Sequence, residues 1–168
     1  MKTIIFVRHA KSSWNHAGVK DFDRPLNDRG ERDAPIMATR FKKLNMRLDL
    51  LVSSPAVRAA STARIFAGIL GINPTTILFD EQLYLPEPEA FPEVLGRLPD
   101  PVQTVMVFSH NPGITSFVNR LSSTRVDDMP TCSMFAVTSD IDSWADFSTD
   151  TNRFLFFDYP KNPKFAER

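Results

Sequence analysis

The stretch Thr3-Ile4-Ile5-Phe6-Val7-Arg8-His9-Ala10 decides how the rest of the chain is read. Ile4 to Val7 is continuously apolar and rich in β-branched side chains, without the alternation of a strand that has one wet face. Such a run is a strand buried on both sides, which places it inside a parallel sheet covered by helices. The apolar character ends abruptly at Arg8-His9, so the strand delivers two polar side chains at its carboxyl end.

Working outward, Lys11 to Gly30 is polar and shows no periodicity. It is too long for a plain connector, and loops of that length in compact domains are usually functional. Ala34, Met37, Ala38, Phe41 and Leu44 then recur at helical spacing. Pro35 places the start of that helix near Arg32, or else kinks it. Asp49 to Val52 reads as a second strand. Ala56, Ala59, Ala60, Ala63, Ala67 and Leu70 mark a helix that stops at Gly71. Thr76 to Phe79 is a third strand, and Pro86, Pro88 and Pro92 precede a helix around Glu93 to Leu98. Thr104 to Phe108 is a fourth strand, followed by a helical stripe of Ile114, Phe117, Val118 and Leu121. Met134 to Thr138 and Phe154 to Tyr159 are two last strands. This alternation predicts an α/β three-layer sandwich, with a largely parallel central sheet and helices on both faces. The expectation is one domain spanning 1–168.

Charge and composition narrow the function. Lys plus Arg (20) equals Asp plus Glu (20), so no global field draws the protein to nucleic acid or an anionic membrane. Any anion must be recognised by a local cluster. The single Cys132 excludes an internal disulfide and a multi-cysteine metal site, and reads as a small buried apolar residue. The run Ile4 to Val7 is too short for a signal peptide, and nothing approaches the roughly 20 apolar residues of a membrane span. A soluble cytoplasmic protein is expected.

Ligands of open α/β sheets bind beyond the carboxyl ends of the strands. Three of those ends carry polar groups: Arg8-His9, then Ser53-Ser54-Pro55 with Arg58 in the next helical turn, then Ser109-His110-Asn111-Pro112-Gly113. If the three strands are parallel neighbours, two histidines and two arginines meet in one pocket. That set suits a phosphoryl group, whose transfer is catalysed mainly by positioning and charge stabilisation. Arginine grips its oxygens in pairs, helix-start N–H groups add donors, and neutral histidine is a competent nucleophile when its other nitrogen is tied to an acceptor. Two adjacent arginines should push the His9 pKa down. No metal is expected, because the cluster lacks carboxylates or thiolates at ligand spacing. The absence of G-x-S-x-G argues against a serine hydrolase.

Arg8-His9-Ala10, the segment Ser53 to Ala59 with Thr62-Ala63 beyond it, and Ser109 to Gly113 resemble the signature of the histidine phosphatase superfamily, which includes the cofactor-dependent phosphoglycerate mutases. Arg8 to Trp14, with Arg24-Pro25-Leu26 and Gly30 downstream, is most similar to its SixA-like phosphohistidine phosphatase branch. The similarity runs from residue 3 to about 120 and is weak beyond. It implies a phosphoglycerate mutase-like fold and a phosphatase without cofactor. His9 would accept the phosphoryl group, Arg8 and Arg58 would hold its oxygens, and His110 would hydrogen-bond to it. Asn15 and Arg24 would add phosphate or entrance contacts, with Asn111 beside them. Ala10 departs from the glycine common after the nucleophile, a change that only close packing beside the backbone should feel.

Phosphate esters need a proton donor for the leaving alkoxide, and Glu81 is the candidate acid, with Glu87 and Glu89 as alternatives. A phosphohistidine substrate relaxes that need, since neutral imidazole leaves readily. The expected substrate is therefore a phosphohistidine-bearing protein. A small phosphorylated metabolite is the alternative, and a catalytically weak phosphate- or phosphoprotein-binding module is a third reading.

Overall fold

A computed structural model describes residues 1–165. Six strands form one sheet in the order β3-β2-β4-β1-β5-β6. They are β1 (Lys2–Arg8), β2 (Leu50–Ser53), β3 (Leu78–Phe79), β4 (Thr104–Ser109), β5 (Met134–Ser139) and β6 (Asn152–Asp158). β1, β4, β2 and β3 run parallel. β5 is antiparallel to β1, and β6 to β5. The sheet is thus mixed, with its chemistry-bearing half parallel as the sequence predicts.

The helices are α1 (Asp28–Lys43), α2 (Val57–Leu70), α3 (Ala90–Gly96) and α4 (Gly113–Val118). Alternate residues of the central strands point to opposite faces, as the two-residue period of a strand requires. Ile5, Val7, Leu51, Met106 and Phe108 pack with Met37, Phe41, Ala63 and Phe66 of α1 and α2. Ile4, Phe6, Val105 and Val107 pack with Phe91, Val94, Ile114 and Phe117 of α3 and α4. Both faces being covered, Ile4 to Val7 and Val105 to Phe108 carry no polar side chain before the strands end. At roughly 25 cal/mol per Å² of apolar surface buried, this double core is the main force holding the three layers together.

Several boundaries differ from the sequence reading. α1 begins four residues before Arg32, because Asn27 caps it by accepting the Gly30 N–H at 2.9 Å, and Pro35 lies inside the helix. α3 starts at Ala90 rather than Glu93, and α4 ends at Val118, short of Leu121. β3 keeps only two residues, because Pro74–Thr76 form a 3₁₀ turn held by the Asn73 side chain.

Register explains why the strand ends converge. Arg8 pairs with Ser109 and Ser53 with Phe108, so the three chains leave the sheet almost level. The His9 N–H bonds to the Ser109 carbonyl at 3.1 Å and the Ser54 N–H to the Phe108 carbonyl at 3.0 Å. His9, His110 and Ser54 therefore sit side by side just past the sheet. The parallel neighbours that the pocket required are present.

Candidate active site

A cavity of about 250 Å³ opens at that point, and Arg8, His9, Arg24, Arg58, His110 and Asn111 all contribute to its wall. His9 is buried, and its Nδ1 lies 2.7 Å from the carbonyl oxygen of Ala10. A carbonyl only accepts, so Nδ1 carries the proton and Nε2 keeps its lone pair. Burial is the main cause that lowers the His9 pKa to about 3. The Ala10 hydrogen bond opposes this, and the charges of Arg58, Arg8 and Arg24 push it further down. The ring is neutral at any ordinary pH, with one defined tautomer. Behind it, the Ala10 N–H donates to Thr62 Oγ1 at 3.0 Å, while Thr62 donates to the Arg58 carbonyl at 2.7 Å. That relay fixes the start of α2 to the end of β1.

His110 stands with its ring centroid 5.0 Å from that of His9. Its Nε2 is 2.8 Å from Ser54 Oγ, which accepts the Ala56 N–H at 3.2 Å. The Ser54 hydroxyl hydrogen has no other acceptor among the described residues, so it is assigned to Nε2, which leaves the proton of His110 on Nδ1. Burial, then the neighbouring His9 and Arg58, lower the His110 pKa to about 2. This ring is a neutral hydrogen-bond donor.

The two arginines are pinned at their tips. Arg8 Nη1 donates to the Met129 carbonyl at 2.7 Å, with Asp128 at 3.9 Å. Arg58 Nη1 and Nη2 donate to the backbone and side chain of Asp21, at 2.6 and 3.0 Å. Arg8 Nε, Arg58 Nε and His110 Nδ1 are buried and have no acceptor among the described residues. Burying an unsatisfied donor costs roughly 1–3 kcal/mol, so three of them in the wall of one cavity fit a polyvalent anion.

Arg24 joins the site. It bonds to Asp21 at 3.1 Å and to Ser12 at 2.8 Å, and its guanidinium stacks on Trp14 at 3.5 Å. Asn111 lines the wall with its amide already engaged: it donates to Asp128 at 2.6 Å and Met129 at 3.1 Å, and accepts from Thr115 at 2.6 Å. Its geometry is that of a strut for the loop behind Arg8. Asn15 is exposed and outside the wall, since the loop after Ser13 turns away to solvent. Glu81 is exposed on a 3₁₀ turn and also outside, as are Glu87 and Glu89. Glu89 pairs instead with Arg120 at 2.9 Å.

The carboxylate in the cavity is Asp21, which the sequence reading did not single out. The long loop folds back on itself through Ser13 N–H to the Pro25 carbonyl at 2.8 Å and Asn27 N–H to the Lys11 carbonyl at 3.0 Å. Its far end, the 3₁₀ turn Asp21–Asp23, thereby reaches over the pocket. Asp21 accepts from Tyr84 at 2.6 Å, from Arg58 and from Arg24. Burial pushes its pKa up, but the bonds from Tyr84, Arg58 and Arg24 together with the Arg58 charge win, and the carboxyl falls to about 2. The only advance signal was an acidic residue three positions before Arg24. Cys132 is buried as expected, with its thiol pKa pushed up by burial, and its N–H binds the carbonyls of Arg8 and His9, both at 3.0 Å.

Residues 4–83 match the family model described as histidine phosphatase superfamily (branch 1). Among solved structures, the SixA protein of Agrobacterium tumefaciens, a presumed phosphohistidine phosphatase, is 26% identical with a TM-score of 0.79, covering 95% of this chain and 98% of that one. A protein histidine phosphatase SixA complexed with tungstate has the same fold, with a TM-score of 0.80 at 22% identity over 94% and 97% of the two chains. An uncharacterised protein of Mycobacterium tuberculosis is 28% identical over 164 residues, 92% of this chain and all of that one. The matched residues 4–83 carry Arg8, His9 and Arg58, the fold places His110 beside them, and this likeness to the histidine phosphatase superfamily supports a phosphatase. Within the superfamily its likeness is to the SixA-like branch. Among the described residues no helix is long and apolar enough to cross a membrane.

Proposed function

We propose that this phosphatase removes phosphoryl groups from protein phosphohistidine by way of a phosphoryl group carried on His9, without a metal ion. The observation behind this reading is the His9 ring, locked with its Nε2 lone pair free beside three buried donors that lack an acceptor. In the first step Nε2 attacks phosphorus in line. The P–N bond of the substrate breaks as its imidazole, protonated on the other nitrogen, leaves neutral. His9 then holds phosphorus on Nε2 and a proton on Nδ1, and the Ala10 carbonyl stabilises that cationic ring. Arg8, Arg58 and His110 take up charge on the equatorial oxygens. In the second step water attacks phosphorus, the P–Nε2 bond breaks and His9 returns to its starting tautomer. The proton lost by water goes to a phosphate oxygen or to solvent.

Asp21 favours phosphohistidine over an ester. A carboxyl with a pKa of about 2 is ionised at neutral pH and has no proton for a departing alkoxide. Imidazole needs none. The permanent positive charges of the arginines supply what a metal would supply as a charge clamp, which supports a metal-independent reaction.

The test is turnover of a phosphohistidine peptide against a panel of small phosphate esters, with EDTA present throughout. The peptide should be the preferred substrate. Acid-labile, base-stable phosphate should be trapped on the wild type and missing from a folded His9→Ala variant, with turnover lower by orders of magnitude. A variant that turns over normally refutes the role of His9, and a clear preference for esters refutes the substrate.

A further inference from the structure

A second and larger cavity, about 510 Å³, adjoins the catalytic one. Thr131 belongs to both walls, so the two cavities meet at that residue. Arg29 ties the junction together by donating to Thr131 Oγ1 at 3.3 Å, and its charge is close enough to depress the pKa of Arg8. The second cavity carries three cations, Arg29, Arg32 and Lys161, against one carboxylate, Asp33. Asp33 is buried and lies 3.6 Å from the Nε atoms of both arginines, so it steadies them more than it offsets the local field. Ile36, Pro130 and Tyr159 give the same cavity an apolar floor.

Around the rest of the catalytic mouth charge is mixed, with Lys11 and Arg24 in the wall and carboxylates nearby. Asp127 and Asp128 are exposed there, with Asp128 held by Asn111 at 2.6 Å beside Arg8. Asp23 is exposed on the loop that brings Asp21 over the pocket. A substrate whose phosphoryl group sits by His9 thus meets a net positive patch across Thr131 and mixed charge elsewhere around the mouth. The chain is neutral as a whole, so this polarity is local and selects an orientation.

We infer that this second cavity receives an acidic segment next to the phosphorylated residue of a protein substrate. Its carboxylates would face Arg29, Arg32 and Lys161, and an apolar neighbour would lie on Ile36 and Tyr159. The inference rests on the phosphohistidine reading above and adds a sequence preference to it. An extended peptide advances about 3.3 Å per residue with side chains on alternate sides. A residue a few positions from the phosphohistidine therefore reaches past Thr131 into the second cavity. A phosphoryl group with a compact metabolite body would fill the first cavity and leave the cations of the second unused.

The experiment compares two phosphohistidine peptides, identical but for Asp/Glu or Ser/Asn flanks, with phosphoramidate as a small probe. Wild type is set against the double charge reversal Arg32→Glu/Lys161→Glu, neither residue being part of the catalytic pocket. Two or three exposed ion pairs together shift affinity by about tenfold. Wild type should favour the acidic peptide by about that factor in kcat/KM, mostly through KM, and increasingly so at low salt. The reversal should abolish the preference and leave phosphoramidate turnover unchanged. Equal handling of the two peptides by wild type overturns the inference, as does a preference that survives the reversal. So does a KM increase confined to a small bisphosphate ester, which would assign the cavity to a metabolite. Binding of the unphosphorylated acidic peptide, followed by fluorescence anisotropy, separates this inference from the phosphohistidine reading. Loss of binding on reversal supports the cavity even if no peptide is dephosphorylated, and identical weak binding to both proteins counts against it.

Discussion

Two neutral histidines buried side by side make this fold sensitive to mild acid, and the size of the effect follows from the structure. His9 and His110 are held at pKa values of about 3 and about 2, whereas an unfolded chain restores each to about 6.5. Between those limits the unfolded chain binds protons that the folded one refuses, so stability falls as pH drops below about 6.5 and is fully present above it. At pH 5 each histidine costs 2.3RT times about 1.5, or about 2 kcal/mol, and the pair about 4 kcal/mol. Since neither folded ring takes a proton above about pH 4, this figure depends on the unfolded pKa and the two contributions add. Asp21 works in the opposite direction, but only below its ordinary value of 3.8, outside the interval.

The perturbation is therefore His9→Gln, His110→Gln and their combination, each unfolded with urea at pH 7.5 and pH 5 in phosphate-free buffer. Wild type should lose about 4 kcal/mol on acidification relative to the double variant, and each single variant about 2 kcal/mol. A typical domain is stable by only 5–15 kcal/mol, so the shift in midpoint is easily read. If wild type and double variant lose stability in parallel, both rings take up protons in the fold, and the neutral tautomers read from Ala10 and Ser54 are wrong; a difference of about 2 kcal/mol would place that failure at one ring.

Asp21→Asn removes a negative charge that shares Arg58 with any bound anion. At ~5 Å and an effective dielectric of ~60 one such repulsion is about 1 kcal/mol, so inorganic phosphate should inhibit the variant several-fold more tightly; weaker inhibition would show that Asp21 chiefly orients the guanidinium. Gly30→Ala would drive a Cβ into the Lys11 carbonyl where the long loop crosses the first turn of α1. A loss of about 1–3 kcal/mol is expected in a urea titration, and an unchanged midpoint would mean that the loop moves aside freely.

What the sequence made legible was whatever repeats with the period of an element or stands at its end. Ile4 to Val7 and Val105 to Phe108 are apolar without interruption because both faces are covered, and so the first polar residue after each had to be where the strand leaves the core. Arg8, His9 and His110 were found by that rule, and Arg58 by its place in the first turn of α2. The rule has nothing to say about Asn15, Asp21 or Glu81, which lie on loops and turns without periodicity. Which of them meets the pocket is set by contacts between distant segments: Ser13 with Pro25, Asn27 with Lys11, and Tyr84 with Asp21. The carboxylates after the third strand, Glu81 among them, lie outside the cavity wall. The closed loop brings in its carboxylate from the other side, and the arginines it meets there hold it ionised. The same contacts that hid Asp21 from the sequence also deny it a proton to give, and on the phosphohistidine reading proposed above this links the course of a surface loop to the choice of substrate.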